Sequence, residues 1–368
     1  MARPVPIAVF VSPHGYGHAA RTCAIIQALF ELEPAARFEV FTLVPEWFFL
    51  DSLACPFRYH ILRTDVGLVQ TTALAEDPHA TLALLEDFLL FKDDLVDRLA
   101  TELRDLSCGL MLADISPLGI AAARHAGIPS ALIENFTWDW IYGAYLDAYP
   151  AFEGPIAVLT RLFEAADLRI QTEPVCRPVA GAVTVPPVSR TPRTGRDEVR
   201  RRLAIPAEAR MVLVTMGGTP WQHASLARLE TFSHVIFVIP GAADSPERRG
   251  SLVALPHRSG HYHPDLVHAS DAIVGKLGYS TLAETYAAAV PFGYAPRPTF
   301  RESAPLASFI GNRMAGLEVT PEELYSGSWP ARVPELLALG RPTARRENGA
   351  RAAARLLLGL LRGSANLG

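Results

Sequence analysis

Short apolar runs alternate with segments of helical spacing along this chain, and the alternation starts twice. "IAVFV" (7–11) leads into "HAARTCAIIQALFEL" (18–32). Then come "RFEVFTLV" (37–44), a long helical pattern over 79–106, "CGLMLAD" (108–114), the helical "SPLGIAAARHAGI" and "SALIEN" (130–135). Runs this short and this apolar are what strands buried on both faces require, and strand–helix alternation implies a parallel sheet covered by helices. Residues 174–196 break the pattern with many prolines and read as a linker. The alternation restarts with "MVLVTMGG" (211–218), "HVIFVIPG" (234–241), "LVALPH" (252–257), the short helical "PDLVHAS", "DAIVG" (271–275), "YSTLAETYAAAV" (279–290) and "PFGYAPR". A last helix is expected over 345–361. The layout predicts two Rossmann-like domains with a cleft between them: an N-terminal domain 1–173, a linker 174–200, a C-terminal domain 201–340 and a closing segment 341–368.

A chain of 368 residues has room for two cores. Its net charge of −4 leaves no electrostatic footprint for nucleic acid. Cys23, Cys55, Cys108 and Cys176 form no C-x-x-C and lie in or beside apolar runs, so they read as buried thiols rather than a disulfide framework or zinc site. No leader-like segment opens the sequence, and no apolar stretch approaches the ~20 residues that span a bilayer. The expectation is a soluble cytoplasmic protein. "PEWFFL" (45–50) reads as the start of a buried helix.

The first glycine loop, "SPHGYGHAAR" (12–21), contains His14, Gly15, Gly17 and His18. Its G-x-G-x-x-A spacing suits a tight strand-to-helix turn that lets a ligand approach the backbone. A dinucleotide site would add an acid at the end of the second strand. Here Glu46 follows a proline and comes late, which argues against NAD or FAD. His18 falls in the first helical turn, facing the carboxyl ends of the strands, where an uncharged imidazole is a candidate general base. A capping or packing histidine is the alternative. Asp114 ends "CGLMLAD" and emerges on the same rim. Two roles are open to it: orienting His18 through the other ring nitrogen, or capping the helix that begins near Pro117.

In the second half, Gly217 and Gly218 of "MGGT" offer backbone amides and Thr219 a hydroxyl, which suit phosphate oxygens although the motif is not a Walker A loop. "GKLGYSTLAE" (275–284) places Gly278 in a turn and Tyr279, Ser280 and Thr281 at a helix N-terminus, an anion site. Lys276 adds charge for a diphosphate, and Glu284, a turn further on, is placed to accept two ribose hydroxyls. The rivals are a Thr281–Glu284 capping box and a solvated lysine. "HRSGHYH" (257–263) reads as a loop beside the nucleotide base, with His257 its candidate contact, rather than as a metal site; no metal or cofactor is expected. In "ENFTWDWIYGAYL" (134–146), Asn135, Trp138, Asp139 and Tyr142 follow a strand end where an acceptor would lie. They form either a stacking platform or a core patch beneath it. Asp65 and Gln70 of "TDVGLVQ" have the same standing.

"HGYGHAAR", "DVGLVQTTAL", "ENFTWDWIY" and "GKLGYSTLAE" with "PRPTFRE" resemble the glycosyltransferase-like N-terminal region of plant L-arabinokinases and its stand-alone bacterial relatives, over about residues 7–310. More distantly, the second half is similar to UDP-sugar transferases of plants and to the transferase that makes lipid II. The kinase half of the arabinokinases has no counterpart here, so no sugar kinase activity follows. The resemblance implies an α/β GT-B fold of two facing Rossmann-like domains, with the acceptor on the first, the nucleotide-sugar on the second and the last helix returning to the first. It implies His18 as the acceptor-activating base and Asp114 as its orienting acid. Gly217, Gly218, Ser280 and Thr281 would hold the donor diphosphate, and Glu284 the ribose. "FRESAPLASF" stands where the lipid II enzyme has a glutamine–asparagine motif, which makes Arg301 and Glu302 candidate contacts to the donor sugar. The function implied is a metal-independent, inverting transfer of a sugar from a nucleotide diphosphate donor, UDP-sugar favoured, to a small-molecule acceptor. A nucleotide-sugar hydrolase or 2-epimerase of the same fold, a non-catalytic sugar-nucleotide-binding protein and a dehydrogenase are the rival readings.

Overall fold

The computed structural model describes residues 5–72, 75–92, 94–217, 226–343 and 346–365. The chain forms two compact units, one made of Met1–Thr71, Glu76–Ser189 and Asn348–Gly368, the other of Thr72–Ala75 and Arg190–Glu347.

The first unit contains strands β1 (Pro6–Val11), β2 (Arg37–Thr42), β3 (Phe57–Ile61), β4 (Val69–Gln70), β5 (Glu76–Asp77), β6 (Leu110–Asp114), β7 (Ser130–Glu134), β8 (Leu168–Thr172) and β9 (Val183–Val185). Seven of them make a parallel sheet in the order β3-β2-β1-β6-β7-β8-β9, while β4 and β5 form a two-stranded hairpin. The order runs outward in both directions from the β1/β6 pair, so that pair is the topological switch point, where sheets of this kind hold ligands at their carboxyl edge. β6 and β7 are buried at every position, the pattern the unbroken apolar runs predict. Helix α1 (Tyr16–Leu32) starts at the switch point with Gly15 as its N-cap and is buried continuously from His18 to Ile26. Being apolar on nearly every side, it is an interior helix, wedged between the sheet and the chain's last helix.

Helices α2 (Glu46–Ser52), α3 (Pro78–Phe88), α4 (Leu95–Asp105), α5 (Pro117–Ala126), α6 (Trp138–Tyr142) and α7 (Glu153–Glu164) complete this part of the chain. The single helix expected over 79–106 is two helices: Phe91 and Asp94 between them take left-handed conformations, at φ 43° and 54°, which an α-helix does not accommodate. In "PEWFFL" Phe48 and Phe49 are buried in α2. The proline-rich segment is not wholly irregular, because β9 adds an edge strand inside it.

The second unit contains α8 (Arg196–Arg202), β10 (Arg210–Thr215), α9 (Leu226–Leu229), β11 (Val235–Pro240), β12 (Glu247–Arg249), β13 (Leu252–Leu255), α10 (His263–Ala269), β14 (Ala272–Lys276), α11 (Tyr279–Ala288), β15 (Phe292–Ala295), α12 (Ser303–Arg313), β16 (Gly316–Glu318), α13 (Pro321–Ser326) and α14 (Val333–Ala338). Its sheet runs β12-β13-β11-β10-β14-β15-β16, parallel throughout except for β12. The switch point is β10/β14, the counterpart of β1/β6. Helix α15 (Ala350–Ala365) follows the second sheet in sequence but belongs to the first unit, where Ala353, Ala354, Leu357 and Leu358 share a core with Ile25, Ile26 and Leu29 of α1.

Candidate active site

At the first switch point the structure brings His18 and Asp114 together. His18 Nδ1 lies 2.8 Å from Asp114 Oδ1, and both side chains are buried. The carboxylate is saturated. Oδ1 also accepts from Arg21 Nη2 at 2.6 Å, while Oδ2 accepts from Arg21 Nε at 2.9 Å and Thr22 Oγ1 at 3.0 Å. Burial drives the Asp114 carboxyl up, but the Arg21 charge, its hydrogen bonds and those of His18 outweigh burial and bring it down to about 2. An ionised carboxylate only accepts, so Nδ1 carries the hydrogen, and in the neutral imidazole the lone pair lies on Nε2. Among the described residues, Nε2 has no hydrogen bond. Asp114 does not cap α5; Ser116 does, accepting from Gly119 N at 3.1 Å.

Arg21 belongs to no motif of its own in the sequence. It is 1% exposed and also donates from Nη1 to Asn135 Oδ1 at 2.7 Å. Only its i+3 spacing from His18, which puts both on one helix face, was a signal.

Several residues expected at the acceptor are buried. Trp138 and Tyr142 are 1% and 0% exposed, so neither offers a face to a ligand. They stack on one another and hold the loop after β3 in place: Trp138 Nε1 donates to Asp65 Oδ2 at 2.8 Å and Tyr142 OH to Gly67 O at 2.6 Å. The core-patch reading of this aromatic run is the one the packing supports. Asn135 is likewise buried and spends its oxygen on Arg21. Asp139 is buried, with Oδ2 accepting from Arg177 Nη2 at 2.8 Å. Gln70 is exposed on the β4–β5 hairpin. His14 accepts from Leu68 N at 3.2 Å and stands edge-on to Trp138. Gly67 sits beneath it at φ 67°, where a Cβ would come within 2.7 Å of the His14 ring, so the close approach requires glycine. Gly15 is exposed and Gly17 half-buried in the first turn of α1. Asp65 is buried with Oδ1 unpartnered, and burial pushes its carboxyl up to about 6 against the hydrogen bonds of Ser12 and Trp138.

At the second switch point, Gly217 follows β10 at φ 64°, a conformation suited to glycine, and the nearest atom to its missing Cβ is Lys276 Cε at 3.9 Å. Gly218 and Thr219 lie outside the described residues. Lys276 ends β14; burial, helped by the Arg297 charge and opposed by Glu302, lowers its ammonium to about 8. Gly278 is the N-cap of α11 and makes no side-chain cap, so the amides of its first turn, which includes Tyr279, Ser280 and Thr281, are not capped by a side chain at that position. Tyr279 and Thr281 are buried and Ser280 is half-buried.

The Thr281–Glu284 capping box does not form, because the helix starts earlier. Glu284, expected at the ribose, has protein partners on both oxygens. Its Oε1 accepts from Arg190 Nε at 2.9 Å and its Oε2 pairs with His263 Nδ1 at 2.7 Å, while His263 Nε2 lies 3.3 Å from Thr215 Oγ1. Burial raises the Glu284 carboxyl, but Arg190 and His263 outweigh it and leave it below the usual range. His257 is exposed, and its ring packs where a Cβ on Gly241 would sit. Arg301 is exposed; Glu302 is buried, 3.7 Å from Arg297. Among the described residues no group of three or more His, Cys, Asp or Glu side chains is arranged to hold a metal ion, and no helix is long and apolar enough to cross a membrane.

Two parallel sheets of Rossmann type, each with a polar cluster at its switch point, are the GT-B class of fold. Arabidopsis thaliana UGT89C1, solved in complex with UDP, matches it with a TM-score of 0.61 over 98% of this chain and 99% of that one, at 16% identity. No protein-family model matches the chain. In sequence it is 27% identical over 329 residues to L-arabinokinase of Arabidopsis thaliana, covering 88% of this chain and 31% of that protein. It is also 27% identical over 274 residues to an uncharacterised glycosyltransferase of Methanopyrus kandleri, covering 70% of this chain and 78% of the other. The chain thus spans less than a third of the L-arabinokinase it matches, and its fold is of the GT-B class.

Proposed function

We propose that the chain transfers a sugar from a nucleotide diphosphate donor, UDP-sugar favoured, to a small-molecule acceptor, with inversion at the anomeric carbon and without a metal ion. The observation that carries this reading is the hydrogen bond between His18 Nδ1 and Asp114 Oδ1, which leaves the lone pair on Nε2 at the ligand edge of the first sheet. In the proposed reaction Nε2 takes the proton of an acceptor hydroxyl or amine. The freed oxygen or nitrogen attacks C1 of the sugar as the bond from C1 to the diphosphate oxygen breaks. The charge of the departing diphosphate is met by the amides opening α11 and by Lys276. The UDP of the UGT89C1 complex and the glycosyltransferase name of the Methanopyrus relative support the choice of donor class.

The test is turnover of a panel of UDP-sugars with hydroxyl and amine acceptors. General base catalysis typically contributes ~100- to 10,000-fold, so His18→Ala should lower turnover by about that factor while UDP still raises the melting temperature as it does in the unaltered protein. Equal release of sugar with and without acceptor would instead identify a hydrolase. Binding of UDP-sugars with no turnover under any condition would identify a sugar-nucleotide-binding protein.

A further inference from the structure

The guanidinium of Arg21 gathers groups from four elements. It forks onto both oxygens of Asp114 at the end of β6, and its Nη1 reaches Asn135 just after β7, at 2.7 Å, and Thr172 at the end of β8, at 3.4 Å. Arg21 itself stands one turn after His18 on α1, with Nη2 3.3 Å from His18 Nδ1. That separation is the distance between two donors sharing Asp114 Oδ1, since a nitrogen that donates to the carboxylate does not also accept from Arg21. We infer that Arg21 is a positioning residue for the candidate base: its fork fixes the Asp114 carboxylate so that a single lone pair remains for His18 Nδ1, which sets the tautomer and leaves Nε2 facing the acceptor. The inference rests on reading His18 as the base.

Three features separate this from ordinary packing. The carboxylate has about four lone-pair sites; Arg21 fills two, Thr22 a third and His18 the last, so Asp114 has no alternative orientation that keeps its partners. The fork is planar and rigid, so it fixes angle as well as distance, which a lysine's single ammonium does not. A buried ion cluster is also a poor source of stability compared with apolar side chains of the same volume, so stability alone does not account for one beside His18.

Arg21→Lys keeps the charge and removes the fork. Asn135→Ser removes only one anchor, leaves every ion pair in place, and supplies the same readouts if Arg21→Lys does not fold. Turnover of each is expected to fall at least tenfold with the Michaelis constant for the donor unchanged. In a His18→Ala background the same substitutions should cost less than twofold, because a residue acting through His18 has nothing left to act on. Equal losses in both backgrounds, or unaltered turnover in either single variant, overturn the proposal. Imidazole ¹⁵N spectra, with the His18 signal assigned by its loss in His18→Ala, supply a readout independent of turnover: the unaltered protein should show the Nδ1–H tautomer alone, and the variants a mixture. A single unchanged tautomer in the variants overturns the role of Arg21. A protein that transfers no sugar overturns the reading of His18 instead, and leaves the spectra to decide the geometry.

Discussion

His18 and Arg21 donate to the same oxygen of Asp114, at 2.8 and 2.6 Å, with their nitrogens 3.3 Å apart. The acid is therefore both the candidate orienting group and the counter-charge of a buried arginine. Asp114→Ala should abolish turnover and also lower the unfolding free energy by about 3–5 kcal/mol, because it strands a buried cation. Its carboxyl is depressed to about 2 in the fold, so its stabilising contribution is present above the unfolded carboxylate value near 4 and is lost as pH falls through about 2. Urea unfolding of the Asp114→Ala and unaltered proteins at pH 7 and pH 2 should show the difference shrinking at the lower pH.

Asp65 has the opposite sign. Its carboxyl is raised to about 6 by burial, so the unfolded chain loses this proton first, and stability declines as pH rises from about 4 to about 6. Asp65→Asn should flatten that decline, making the variant relatively more stable at pH 7 than at pH 4. Thermal melts of both proteins across this range are the check, and parallel curves would show that Asp65 is ionised in the fold as it is outside it.

Lys276 is lowered to about 8, so the free protein loses this charge within the accessible range. If the ammonium meets the donor diphosphate, affinity for UDP should weaken as pH rises above about 8, and Lys276→Met should bind UDP with no such slope. Titration calorimetry from pH 7 to pH 9.5 measures both. For stability the sign reverses: between about 8 and the unfolded lysine value near 10.4, the unfolded chain holds more protons, so the fold gains as pH rises.

Glu284 carries Arg190 on one oxygen and His263 on the other. Glu284→Gln leaves the shape and removes the counter-charge of a buried arginine, which should lower the stability of the second unit by about 3–5 kcal/mol. Chemical denaturation followed at Trp329, buried among the second unit's apolar residues, reports it; a change below about 1 kcal/mol would place the pair with exposed ion pairs in energetic terms.

Much of the fold was legible because buried parallel strands leave an unbroken apolar signature. "IAVFV", "CGLMLAD" and "DAIVG" fall on β1, β6 and β14, and the two polar clusters follow from where those strands end. What was not legible has physical causes. Helical periodicity continues through residues 89–94, and only the backbone angles at Phe91 and Asp94 show the break. The edge strand β9 lies among prolines, whose signal outweighs three residues of alternation. The pair His18 and Asp114 could be anticipated from two strand ends, whereas Arg21, Arg190 and His263 could not, because what makes each informative is a partner remote in sequence. Trp138 and Tyr142 left two readings open for a related reason: an aromatic cluster after a strand has the same spelling whether it faces a ligand or, as here, props the loop that carries Asp65.

Helix α15 closes the core beside α1 although some 160 residues of the other unit separate it from the rest of its own. One side of α1 stays uncovered during synthesis until residues 350–365 have been made, whereas the strands of the second sheet come from one uninterrupted stretch. A substitution that unseats Ala353 or Leu357 is felt first by the helix that bears His18, far earlier in the chain.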